Sequence, residues 1–193
     1  MNNKIENFHT SELTNTKFVH PVKISYVLND VKKTWEAVKS FDSVAILLYH
    51  TNKNAFILVK QFRPPVYLND ISKLCTYELC AGIVDKDKSL KQIAKEEIDE
   101  ECGYDVPLEK IKKITSFYTN VGVSGGCQTL FFAEVNDTMK IHDGGGINDE
   151  QIELMYLPLD NYKEFMFDET KAKTPGLLFS FMWFMDKNFK NKL

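Results

Sequence analysis

At 193 residues the chain fits one domain of ordinary size, long enough to bury a real core. Hydrophobic residues make up 44% and charged residues 26%, and the net charge of −3 with a pI near 5.8 argues against a sequence-independent nucleic-acid binder, which needs a basic face. Cys75, Cys80, Cys102 and Cys127 show no C-x-x-C spacing and no paired histidines, which argues against a zinc site and fits reduced thiols in a cytoplasmic protein.

The first residues, MNNKIENFHTSEL, lack the apolar core of a signal peptide, and residues 1–16 read as a polar, loosely held tail. From Lys17 to Val38 apolar and polar residues alternate around Asn29-Asp30, which predicts a β-hairpin or two short strands. Ser43–Tyr49 and Ala55–Gln61 form a second predicted strand pair. The first of these is almost wholly apolar, as expected of a strand covered on both faces. Phe62-Arg63-Pro64-Pro65 then stops the strand, because proline cannot donate to a ladder. Tyr77–Cys80 is expected to be a short strand ending at Ala81-Gly82.

A helix is predicted from about Ser89 to Cys102. Ser89 and Gln92 have the spacing of a capping box, and Gly103 stands where a helix C-terminus favours positive φ. Leu90, Ile93, Ala94 and Ile98 make its apolar stripe. Lys112–Tyr118, Thr129–Val135 and Gln151–Leu157 read as strands, and Pro175 to about Asn188 as a closing helix. Its apolar run, Leu177–Met185, is interrupted by Ser180 and is too short to cross a bilayer, so no membrane partner is expected. Strands mixed with two helices in one domain predict an α/β layered fold.

The most informative segment is Glu96-Glu97-Ile98-Asp99-Glu100-Glu101. Glu97, Glu100 and Glu101 are spaced i, i+3 and i+4, hence neighbours on one helical face. Like charges so placed repel by about 0.2–0.5 kcal/mol per pair. Taken alone, the segment reads more readily as a solvated acidic face. Buried or half-buried, it calls for a hard divalent cation such as Mg²⁺, which takes carboxylate oxygens and shares its remaining positions with water and phosphate.

Its surroundings favour the second reading. Gly82, five residues, Lys88, seven residues, and then Glu96 to Tyr104 match the frame G-x5-E-x7-R-E-U-x-E-E-x-G-U, with U apolar. By this frame the chain resembles the Nudix hydrolase superfamily. Gly82, Glu97, Ile98, Glu100, Glu101 and Gly103 fit exactly and Tyr104 loosely; Lys88 and Glu96 reverse the charge of the usual glutamate and arginine. If those two positions face each other, the ion pair is retained with its ends exchanged. In the family the arginine orients the following glutamate, a role Glu96 cannot take over, and Lys95 lies about 100° away around the helix.

VKQFRPPVY, YELCAGIVD, GGGINDEQIELMYLPL and KTPGLLFSFMWF extend the resemblance to the nucleoside-diphosphate-sugar pyrophosphatases, the uridine diphosphate glucose type above all, with ADP-ribose and GDP-mannose enzymes as neighbours. Thr119-Asn120-Val121-Gly122 stands where ADP-ribose enzymes carry Ser-Pro-Gly, which weakens the ADP-ribose reading. The resemblance implies an α/β/α sandwich around a mixed β-sheet, with an N-terminal β extension. Residues 1–40 would be the tail and strands that dimerise, and residues 41–193 the hydrolase domain.

It also implies Mg²⁺, with Mn²⁺ as the alternative, bound by the Ala81 carbonyl, Glu97, Glu100 and Glu101. Glu100, Glu101 and Glu150 would be catalytic, Glu150 arriving on the Gly144–Gln151 loop with Asp149 as second choice. Arg63 and Glu78 would contact a nucleotide-sugar substrate; the plain alternatives are a surface salt bridge and strand-face charge. Trp35, Phe62 and Tyr67 are candidates for stacking on a base, though such residues more often pack the core. Two other readings stay open: an enzyme acting on dinucleoside polyphosphates or a coenzyme, and a non-catalytic module that senses nucleotide.

Overall fold

The structure is a computed structural model that describes residues 5–11, 15–16, 19–147 and 150–186. β1 (His20–Leu28) and β2 (Val31–Lys39) form an antiparallel hairpin of their own, turned by Asn29 and Asp30 with φ of 52° and 62°. Two successive left-handed residues give the turn whose twist matches the flanking strands. The hairpin is tied to the body by Trp35 Nε1 donating to Gly122 O at 2.9 Å and Val38 N to Val123 O at 2.8 Å.

Among the described residues, eight strands make one mixed sheet. β3 (Ser43–His50) and β4 (Ala55–Gln61) pair antiparallel only near their turn, Leu48–His50 against Ile57–Ala55. Beyond that point the two strands separate, and residues 76–83 run between them. β5 (Thr76–Glu78) pairs with the end of β4, and β6 (Cys80–Ile83) with the start of β3. The strand expected to stop at Ala81-Gly82 therefore continues through both, because the open edge of β3 offers hydrogen-bond partners that the sequence pattern does not reveal. β7 (Lys112–Tyr118) lies beyond β8 (Cys127–Val135), which runs parallel to β3; β9 (Glu153–Pro158) takes the outer edge of β4, and β10 (Ala172–Lys173) runs parallel to β5.

Helices cover both faces. Alternation along β3 sends Val44, Ile46 and Leu48 to one side, where Ile93, Ala94, Ile98 and Cys102 of α2 (Leu90–Cys102) meet them. Ala45 and Leu47 point to the other side, against α3 (Tyr162–Phe167) and α4 (Pro175–Met185). This is the expected α/β/α sandwich. Leu90, expected on the core stripe, is exposed instead: it opens the helix ahead of the sheet edge. Two helices beyond the expected pair are present, α1 (Pro64–Asn69) and α3, each six residues long and too short to show a helical period in sequence. The closing helix ends at Met185; the rest of its expected span, to Asn188, lies outside the described residues.

Candidate active site

α2 is fixed at both ends by its own sequence. Ser89 and Gln92 form the reciprocal capping box. At the other end Gly103 adopts φ 70°, a conformation that admits glycine without strain. The Gly144–Gly146 segment then docks on the helix end: Gly145 N donates to Glu101 O at 2.9 Å and Gly146 N to Glu100 O at 3.1 Å, satisfying carbonyls the helix leaves open. Outside this contact His142 Nε2 lies 2.8 Å from Asp99 Oδ1. The loop is thus fastened to the glutamate helix, and it carries Glu150 back towards it.

These elements border an open cleft of about 330 Å³, lined by Arg63, Ala81, Gly82, Glu97, Glu100, Glu101 and Glu150, together with Gln61, Asp85 and Lys86. Of the residues expected to act together, the structure brings six into this lining, and Glu78 touches it through Arg63. Asp149 lies outside the described residues. Glu150 Oε2 accepts the Ile147 amide at 2.9 Å. β6 approaches α2 so closely that a Cβ on Gly82 would stand 2.0 Å from Glu97 Oε1. Glycine at this position is a demand of contact and not of φ.

Charge is buried here. Glu101 is only 6% exposed, with Oε2 accepting the Ala81 amide at 2.9 Å. Burial pushes its pKa up to about 8; the Ala81 amide and the Cys80 thiol oppose the rise, and Glu97 and Glu150 add to it. Burial, and after it the charge of Glu100, pushes Glu97 up to about 7. Among the described residues no three His, Cys, Asp or Glu side chains are already arranged to enclose a metal ion. The chemistry of the donor set nevertheless fits a hard divalent cation: several carboxylate oxygens in one cleft, two of them held back from ionising by burial and mutual repulsion that a cation relieves.

In the same lining, Arg63 sits at the N-cap of α1, followed by the two prolines that start the helix. Nε and Nη2 each donate to Glu78 at 2.8 Å, a bidentate pair that raises the arginine pKa further. Thr76 Oγ1 donates to Glu78 Oε1 in turn. Arg63 and Glu78 therefore hold each other, an arrangement fifteen residues of sequence separation did not announce.

The two charge-reversed positions do meet: Lys88 Nζ bonds Glu96 Oε1, and Lys86 Nζ lies 3.3 Å from Oε2 of the same carboxylate. Both lysines lower the Glu96 pKa, Lys88 more strongly. Lys95 turns away to Asp105 and the Val106 carbonyl. Asp85 and Lys86 carry no sequence signal beyond their place in the loop between β6 and α2, inside the matched frame. Of the aromatic candidates, Trp35 belongs to the β1–β2 hairpin, and Phe62 and Tyr67 pack on each other at 5.4 Å; none of the three lines the cleft.

No family model matches the chain. Whole-chain relatives do. The chain is 34% identical to uridine diphosphate glucose pyrophosphatase NUDT14 of Bos taurus, covering 94% of both chains, and 31% identical to the same protein of Mus musculus, covering 88% of this chain and 89% of that one. It is also 35% identical to the GDP-mannose pyrophosphatase of Cronobacter sakazakii over 64% of this chain and 63% of that one. The glutamate frame, the split sheet that receives residues 76–83 and the end-to-end similarity lead to one assignment: the chain belongs to the Nudix nucleoside-diphosphate-sugar pyrophosphatase family.

Proposed function

We propose that this protein hydrolyses the diphosphate of a nucleoside diphosphate sugar, UDP-glucose in the first place and ADP-ribose next, to a nucleoside monophosphate and a sugar phosphate. The observation that carries the reading is the cleft that joins half-buried Glu97 and buried Glu101 to a fixed arginine, in a chain similar end to end to UDP-glucose pyrophosphatases. Glu97, Glu100, Glu101 and the Ala81 carbonyl would hold Mg²⁺, or Mn²⁺ in its place. When bound, the cations would neutralise the diphosphate oxygens and make a water a better nucleophile at neutral pH. Glu150, whose loop is tied to the helix by the Gly145 and Gly146 amides, would be the group that accepts a proton from the attacking water. Arg63, held by Glu78, offers its remaining N–H groups to the substrate.

The β1–β2 hairpin exposes Val22, Ile24, Tyr26, Leu28, Val31 and Trp35, a surface suited to a second copy of this chain, and we read residues 1–40 as a homodimerisation arm. The four free cysteines support a cytoplasmic setting. No helix of the described residues is long and apolar enough to cross a membrane.

The test is the release of nucleoside monophosphate, with and without Mg²⁺, from UDP-glucose, ADP-ribose, GDP-mannose and dinucleoside polyphosphates. Metal-dependent cleavage of UDP-glucose in preference to the others is expected. Preference for a dinucleoside polyphosphate overturns the substrate, and tight binding of nucleotide without cleavage of any of them overturns the enzyme. Sedimentation of the full chain, with Val22 and Ile24 changed to lysine as the control, checks the dimer.

A further inference from the structure

A diphosphate entering the cleft meets an acidic wall. Asp85, Glu97, Glu100, Glu101 and Glu150 face two cations, Arg63 and Lys86, among the lining residues. Arg63 already gives two N–H groups to Glu78. Lys86 is held differently: it stands in the loop between β6 and α2, its side chain 39% exposed and its Nζ 3.3 Å from Glu96 Oε2. The bond to Glu96 raises its pKa most, with smaller contributions from Glu100 and Glu97, the acids with which it lines the cleft.

Glu96 has a second partner. Lys88 takes its other oxygen, Oε1, in the closer of the two contacts. One carboxylate thus serves two lysines, and it keeps a counter-charge when either leaves. Lys86 is the one that lines the cleft; Lys88 does not. A lysine carries three donors on a flexible stem, and an exposed Lys–Glu pair is weak enough to be exchanged for a phosphate.

We propose that Lys86 is a substrate-binding residue, which leaves Glu96 to take the phosphate oxygens of the diphosphate while Lys88 keeps Glu96 paired. This rests on the diphosphate-hydrolase reading above and extends it: the two reversed charges of the frame form the resting place of a mobile cation. The division of labour is unequal by construction. Losing Lys86 removes a phosphate contact, whereas losing Lys88 only makes Lys86 harder to release.

The experiment uses the full chain with Mg²⁺ and two readouts: KM and kcat on UDP-glucose, and the Kd of methylenediphosphonate, a diphosphate that is not hydrolysed, by calorimetry. Lys86→Ala is expected to raise KM and weaken methylenediphosphonate by about tenfold each, with kcat within about threefold, the effect of one lost charge-assisted contact. Lys86→Arg should recover most of both, and Lys88→Ala should weaken binding by about two- to threefold. Unchanged methylenediphosphonate affinity in Lys86→Ala overturns the proposal, as does a loss confined to kcat, which would place Lys86 on the carboxylates instead. A wild-type protein that binds no methylenediphosphonate overturns it too. If the protein leaves UDP-glucose intact yet binds methylenediphosphonate through Lys86, the substrate reading fails and this inference stands.

Discussion

The two faces of the central sheet start from one alternating strand and reach opposite chemistry. Below it, α4 and α3 bury an aromatic layer: Phe56 stacks on Phe181 at 4.7 Å and meets Phe184 edge-on at 4.9 Å. The one hydroxyl buried in α4, Ser180, donates to Gly176 O within its own helix at 2.7 Å. Above the sheet, α2 buries Ile93, Ala94 and Ile98 and, beside them, Glu101. The lower face is packed and electrically silent. The upper face carries carboxylates that neither water nor a counter-charge fully supports, and so it gives up stability for the capacity to bind a cation.

This contrast is open to attack at several points. Phe181→Ala empties the middle of the lower layer and should lower unfolding free energy by about 3–5 kcal/mol in urea titrations, leaving kcat per folded molecule as it was. Equal loss of kcat would mean that the two faces are not separable. Glu101→Gln tests the upper face with two readouts of opposite sign. Turnover should fall by about 10²-fold or more. The melting temperature of the metal-free protein should rise by about 2–4 °C, because a buried carboxyl that resists ionising is replaced by a neutral amide. A variant that melts lower without metal contradicts the burial argument.

The raised carboxyl groups give folding a pH dependence with a definite sign. Folding raises the Glu97 pKa from 4.5 to about 7 and that of Glu101 from 4.5 to about 8. Above pH 4.5 the unfolded chain therefore releases protons that the folded chain keeps. Metal-free protein should lose stability progressively up to about pH 8 and then level off, and Mg²⁺ should flatten the slope. Thermal melts at stepped pH, with chelator and with Mg²⁺, measure it.

Gly82→Ala drives a methyl against Glu97 Oε1 and should destabilise by about 1–3 kcal/mol while lowering turnover; full activity would show that Glu97 can move without loss. The smallest effect belongs to the exchanged ion pair. Lys88→Glu or Glu96→Arg alone should lower the melting temperature slightly, and the double change should recover it, within the ~1 kcal/mol usual for exposed pairs. Two harmless single changes would show that the contact contributes nothing.

The sequence by itself determined what depends on local chemistry. The capping box at Ser89, the left-handed Gly103, the Asn29-Asp30 turn and the glutamate spacing are short-range demands, and each is read within a few residues. The facing of Lys88 and Glu96 was legible too, since both belong to one frame around the start of α2. Only the tertiary structure decided the rest. The gap between β3 and β4 that draws residues 76–83 inward depends on pairing over long separations, and with it the burial that raises Glu101. The mutual grip of Arg63 and Glu78, the docking of the glycine loop on the end of α2 and the place of Lys86 at the cleft were decided in the same way. Spacing in the sequence shows three glutamates on one helical face; how far each stands from water depends on what the fold lays against them.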